Sequence, residues 1–132
     1  MAAKVERLVD SRDRLGECPI WDDREQCLWW VDIHGQAIKR YKTSIESFPV
    51  PEQVGSIALR EQGGLLAAMQ SGIYIWDNEA SRLLAAAQAN HGTHRFNDGR
   101  CDRAGRFWVG TLQEPDFPAP GGFLASRKRN YS

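Results

Sequence analysis

Three short segments hold residue types and spacings that could do chemistry. In Leu15-Gly16-Glu17-Cys18-Pro19-Ile20-Trp21, a carboxylate follows a glycine and precedes a proline that fixes a bend. The glycine lets the backbone pack closely, so Glu17 can point into a confined space. A solvated turn glutamate fits the same spacing. In Arg95-Phe96-Asn97-Asp98-Gly99-Arg100-Cys101-Asp102, polar and charged groups surround one short apolar step. Arginine and asparagine hold hydroxyl and carbonyl oxygens, which suits an irregular inner strand facing a polar channel. Asn-Asp-Gly is also an ordinary tight-turn sequence. Against a turn there, Asp102-Arg103-Ala104-Gly105 already supplies one, and two turns so close leave no strand between them. The third segment, Gly110-Thr111-Leu112-Gln113-Glu114, ends a strand and would set Glu114 at the rim of a pocket.

Other chemistries lack support. His91 and His94 lie three apart and His34 stands alone, a pattern that reads as loop histidines more readily than as a zinc site. Walker A, G-x-G-x-x-G and G-x-S-x-G patterns are absent, so nucleotide binding and serine-hydrolase chemistry are not indicated. The chain has 17 basic and 17 acidic side chains and a formal net charge of zero. That balance gives no electrostatic case for nucleic acid or an anionic membrane. The basic run Arg127-Lys128-Arg129 reads as a solvated tail. Three cysteines, Cys18, Cys27 and Cys101, are widely spaced and odd in number, which favours a reducing compartment over a disulfide framework. With no apolar h-region and no long apolar run, the expected location is the cytoplasm.

These residues need elements to position them, and nearly every segment reads as a short strand closed by a turn. Strands are expected at residues 5–9, 19–21, 27–33 and 37–41, then at 54–59, 65–69, 73–76 and 82–86. A third set begins at Arg95 and continues with 106–112. The Ala-rich stretch 83–89 has helix propensity, but its place in the series favours strand. Residues after Gly121-Gly122 start like another strand. Three segments repeat one layout of apolar residue, polar turn and apolar strand: IWDDREQCLWWV, ALREQGGLLAAM and RCDRAGRFWVG. Asp22, Arg60 and Asp102 are then equivalent and lie about 40 residues apart, the period of a propeller blade. A β-sandwich also recurs with regular turns. With 132 residues the chain holds about three blades and cannot close a ring. The expectation is an all-β chain, one partial domain over residues 1–132, either truncated or completed by another chain.

The motifs also resemble a known family. L-G-E-C-P-I-W with L-W-W-V-D-I, V-G-S-I-A-L-R with G-G-L-L-A-A, and R-F-N-D-G-R-C-D-R-A-G-R-F-W-V-G-T resemble successive blades of the SMP-30/gluconolactonase (regucalcin-like) family. The resemblance runs from about Leu8 to about Gly122. It implies the N-terminal part, about three blades, of a six-bladed β-propeller. It also implies a divalent metal in the channel, Ca2+ or Zn2+ with Mn2+ or Mg2+ as further candidates, and hydrolysis of a small-molecule sugar lactone by a protein that is a monomer at full length. Glu17 corresponds to the family's first metal-binding glutamate, and Arg95 and Asn97 to residues that hold the lactone. Glu114 falls near a further substrate-contacting acidic position, offset by one residue. Asp98 and Asp102 match motif positions but read first as structural. The family's other metal ligands, an asparagine and an aspartate that also serves as general base, come from later blades. On this reading no catalytic base is assignable within the chain.

Overall fold

The computed structural model describes residues 2–78, 80–87 and 94–113, and the backbone of 123–126. Among the described residues all regular structure is strand. The chain runs as three successive antiparallel meanders. The first is β1 (Gly16–Asp22), β2 (Cys27–Asp32), β3 (Ala37–Tyr41) and β4 (Ile45–Pro49); the second is β5 (Val54–Leu59), β6 (Leu65–Met69), β7 (Gly72–Trp76) and β8 (Ser81–Ala86). The third is β9 (His94–Cys101), β10 (Phe107–Gln113) and β11 (Phe123–Ser126). No strand is shared between sheets, so 27–33 and 106–112 fall in separate sheets as their second strands, matched by β6 in the middle one. These are three blades of a propeller. The inner strands lie side by side, with β5 packed against both β1 and β9.

The turns explain the repeat. Arg60 N–H donates to Gly64 O and Gly63 N–H to Arg60 O, both at 3.2 Å. Asp102 N–H donates to Arg106 O at 2.9 Å and Gly105 N–H to Asp102 O at 3.0 Å. The two five-residue loops therefore share one hydrogen-bond pattern, with Gly63 and Gly105 at the same position in the left-handed region that glycine adopts without strain. The first blade turns differently. Its Asp22 carboxylate accepts from Arg24 N–H at 3.0 Å and Glu25 N–H at 3.3 Å in a shorter loop.

Strand periodicity builds the core. Successive side chains point to opposite faces, and β6 is apolar on both. Leu65, Ala67 and Met69 face blade 1, packing with Trp29, Val31, Ile38 and Ile57. Leu66 and Ala68 face blade 3, packing with Phe96, Phe107 and Val109. Trp29, Phe48 and Trp76 add edge-on ring contacts, with centroids 6.0 Å apart for Trp29–Trp76 and 5.4 Å for Phe48–Trp76.

Two sequence expectations are corrected. Residues 5–9 form no strand. Among the described residues no strand pairs with them, and Val5 and Leu8 are 93% and 63% exposed. Conversely, β4 was not anticipated. IESFP is polar and mostly exposed because it is the outer edge of its blade. Its pairing is supported by the Arg40–Glu46 ion pair across β3 and β4, at 2.7 Å. The Ala-rich stretch is strand over Ser81–Ala86, as its place in the series required.

Candidate functional site

All three inner strands carry a one-residue irregularity against their second strand. On β1, Glu17 pairs with Val31 but Ile20 pairs with Trp29, so Cys18 and Pro19 together oppose Trp30. On β5 the slip falls at Gly55, between the Val54–Met69 and Ser56–Ala68 pairs. On β9, Phe96 pairs with Thr111 and Gly99 with Val109, so Asn97 and Asp98 together oppose Gly110. Asn-Asp-Gly is therefore a bulge within a strand, not a hairpin turn. Such bulges re-aim side chains beside functional sites.

Gly55 permits the closest approach between blades. A Cβ there would lie 2.0 Å from Phe96 O and 2.9 Å from Asn97 Cα. The glycine thus lets β5 press against the stretch of β9 that carries Asn97.

Between β1, β5 and β9 lies a cleft of about 690 Å3. Glu17, Cys18 and Ile20 line it from β1, Ile57 to Leu59 from β5, and Asp98, Arg100 and Cys101 from β9. Glu17 is half-buried, and its carboxylate makes no hydrogen bond or ion pair with any described residue. Arg95 and Asn97 do not line this cleft, but they meet each other one step along β9. Arg95 is buried, and its Nη1 donates to Asn97 Oδ1 at 3.0 Å and to Phe96 O at 3.2 Å. Arginine carries only donors, so the amide atom facing it is oxygen and the amide NH2 of Asn97 is turned away. Glu114 lies outside the described residues, as does His91.

Asp98, read from the sequence first as structural, also lines the cleft. Its carboxylate accepts from Gly99 N–H at 2.9 Å while remaining exposed to the cleft. Asp102 is structural, as its motif position suggested. It accepts from Trp108 Nε1 at 3.0 Å, and from Arg106 N–H at 2.9 Å and Nε at 2.7 Å. These donors, led by Trp108, hold its carboxyl well below the usual range. Cys18 is held in the cleft wall; burial pushes its thiol up, so it stays protonated.

The donor set fits a metal only in part. Calcium takes six to eight oxygens, and the described residues contain no cluster of three or more His, Cys, Asp or Glu side chains. What they offer is the uncommitted carboxylate of Glu17, with Asp98 in the opposite wall.

Residues 15–129 match the family model of the SMP-30/gluconolactonase/LRE-like region. The chain belongs to this family. A relative from Pseudomonas putida named 6-deoxy-6-sulfogluconolactonase is 44% identical over 106 residues, which is 76% of this chain and 36% of its own length. Regucalcin of Xenopus laevis is 36% identical over 121 residues, 88% of this chain and 40% of its own length. Among solved structures, a calcium-binding regucalcin of Agrobacterium tumefaciens superposes with a TM-score of 0.80 at 22% identity, covering 88% of this chain and 41% of that one. A gluconolactonase of Xanthomonas campestris gives a TM-score of 0.69 at 17% identity, covering 89% and 46%. These structural matches establish the propeller fold. This SMP-30/gluconolactonase-family chain thus spans less than half the length of the relatives it matches, and the family includes proteins named for lactone hydrolysis.

Proposed function

We propose that the SMP-30/gluconolactonase-family protein to which these three blades belong is a metal-dependent hydrolase of sugar lactones. The observation that carries this is the free, half-buried carboxylate of Glu17 in a cleft between inner strands, close to the bulge that holds Asn97. Glu17 would hold the metal. Calcium is the first candidate, since one structural relative is named as calcium-binding, with zinc, manganese and magnesium as alternatives. A hard divalent cation bound there would supply Lewis acidity for attack on an ester carbonyl.

The chain's own residues supply binding and orientation. Arg95 fixes the Asn97 amide, so that its two N–H donors face away from the arginine and can take a carbonyl or hydroxyl oxygen of the lactone. The backbone slip at Asn97 and Asp98 sets that amide on the inner strand. No described residue in the cleft is placed as the general base.

A second reading is favoured by the shortage of metal donors. Three blades with Glu17 and Asp98 alone would bind a small ligand or metal without turnover. The two readings separate on gluconolactone hydrolysis, followed as acid release at constant pH with calcium, zinc, manganese or magnesium added. The 132-residue chain is expected to stay at the spontaneous rate. A polypeptide of the relatives' full length is expected to turn over, and to lose at least about 100-fold on Glu17→Gln. Metal-dependent turnover by the 132 residues alone, abolished by Glu17→Gln, would defeat the division of labour proposed here. A full-length polypeptide that binds metal but does not hydrolyse the lactone would favour the binding reading.

A further inference from the structure

We infer that Cys18 is a positioning residue for Glu17, and that its thiol is what turns the Glu17 carboxylate into the cleft. The inference rests on the reading of Glu17 as a metal ligand, but its evidence is separate. Cys18 has φ of 56°, in the left-handed region that non-glycine residues avoid. Such strain persists only where the surroundings enforce it. Here the enforcing contact is visible. Cys18 Sγ donates to Ile57 O and accepts from Ile57 N–H, both at 3.5 Å. One side chain thus meets both polar groups of a residue on the neighbouring blade, in place of a backbone rung.

The consequence for Glu17 follows from strand parity. In a regular strand, residues 17 and 20 would point to opposite faces, because the side-chain period is two. On β1 their partners are Val31 and Trp29, which share a face of β2 and both pack toward blade 2. The extra residue therefore brings Glu17 to the same face as Ile20, toward β5 and the cleft. Without the kink at Cys18, Glu17 would turn to the opposite face of the sheet. Cysteine is suited to this contact because a thiol can donate as well as accept.

The test uses the isotope-labelled 132-residue chain with Mn2+ as a paramagnetic probe. In the parent protein, Glu17 side-chain protons should show nuclear Overhauser contacts to cleft residues on β5 and β9, Ile57 N–H should exchange slowly, and Mn2+ broadening should centre on Glu17. Cys18→Ala is expected to lose the Glu17 contacts, speed Ile57 exchange and weaken Mn2+ binding about tenfold. Cys18→Ser, which keeps a donor and an acceptor, is expected to restore all three. If Cys18→Ala destabilises the chain too far, Cys18→Gly removes the thiol while keeping the backbone angle accessible, and should give the same three losses. The proposal is overturned if Ala or Gly leaves the Glu17 contacts and the Mn2+ affinity as they were. The metal reading fails on its own terms if Glu17→Gln leaves Mn2+ broadening unchanged; the Cys18 proposal still stands if Cys18→Ala displaces the Glu17 side chain.

Discussion

Lys39→Met is expected to cost about 3–5 kcal/mol at neutral pH, read as a loss of unfolding free energy in urea. Lys39 is buried in blade 1 between two carboxylates. Its Nζ hydrogen-bonds Asp13, stands 4.0 Å from Asp32 and donates to Ser11 O at 3.3 Å. Asp13 also accepts from Ser11 Oγ at 2.7 Å and Trp30 Nε1 at 2.8 Å. Asp32 accepts from the backbone N–H groups of Arg14, Leu15 and Gly35. Methionine has similar bulk but no charge, so it leaves two buried carboxylates facing each other. Burial pushes the Asp13 carboxyl up, but its hydrogen bonds from Lys39, Ser11 and Trp30 outweigh this and hold it below the ordinary value. A depressed carboxyl stabilises the fold above its unfolded pKa, and that contribution is lost as pH falls through the folded value. The gap between parent and variant should therefore narrow below about pH 4. Adding Asp13→Asn to Lys39→Met should recover part of the loss. A variant as stable as the parent would show that the cluster contributes no net stability.

The second large effect is expected for Gly55→Ala, at about 3 kcal/mol, the upper end of the usual cost of overpacking. The added methyl would fall 2.0 Å from Phe96 O, which is backbone and has no rotamer to escape into. Blades 2 and 3 would have to move apart. The separation should open the packing of Phe96 against Ala58 and Ala68 and displace Asn97. Denaturation midpoints would report the stability. Chemical shifts of the Asn97 side-chain amide would report the displacement. An alanine variant with parental stability and unchanged Asn97 shifts would remove the close approach as the reason for this glycine.

The blades were legible because each is local. Apolar runs bounded by polar turns marked most of the strands of the first two blades, and the repeat of one turn layout gave the order. What escaped needed a partner to be seen. β4 is polar and is a strand only because β3 pairs with it, whereas residues 5–9 look like a strand and join no sheet among the described residues. At the site, Gly16 and Pro19 flagged Glu17 from spacing. The bulges stayed hidden, because a register slip is a relation between two strands and leaves no mark on either alone. The Asp13–Lys39–Asp32 cluster was invisible too, since Asp13 is distant in the chain from Asp32 and Lys39 and meets them only when the segment before β1 folds over blade 1.

The two-faced β6 bears on how the chain comes to fold. Strands within a blade join neighbours only a few residues away, so each meander closes short loops and keeps contact order low. Blades touch mainly their neighbours in sequence, with β1 approaching β9 only beside the cleft, which makes the chain close to a short one-dimensional array. In such an array the two coupling terms, blade 1 to 2 and blade 2 to 3, both run through β5 and through the two faces of Leu65 to Met69. Damage to blade 1 or blade 3 removes one coupling and leaves a two-blade unit. Damage to β6 weakens both at once, so unfolding should lose sharpness there sooner than at a strand that faces one neighbour only.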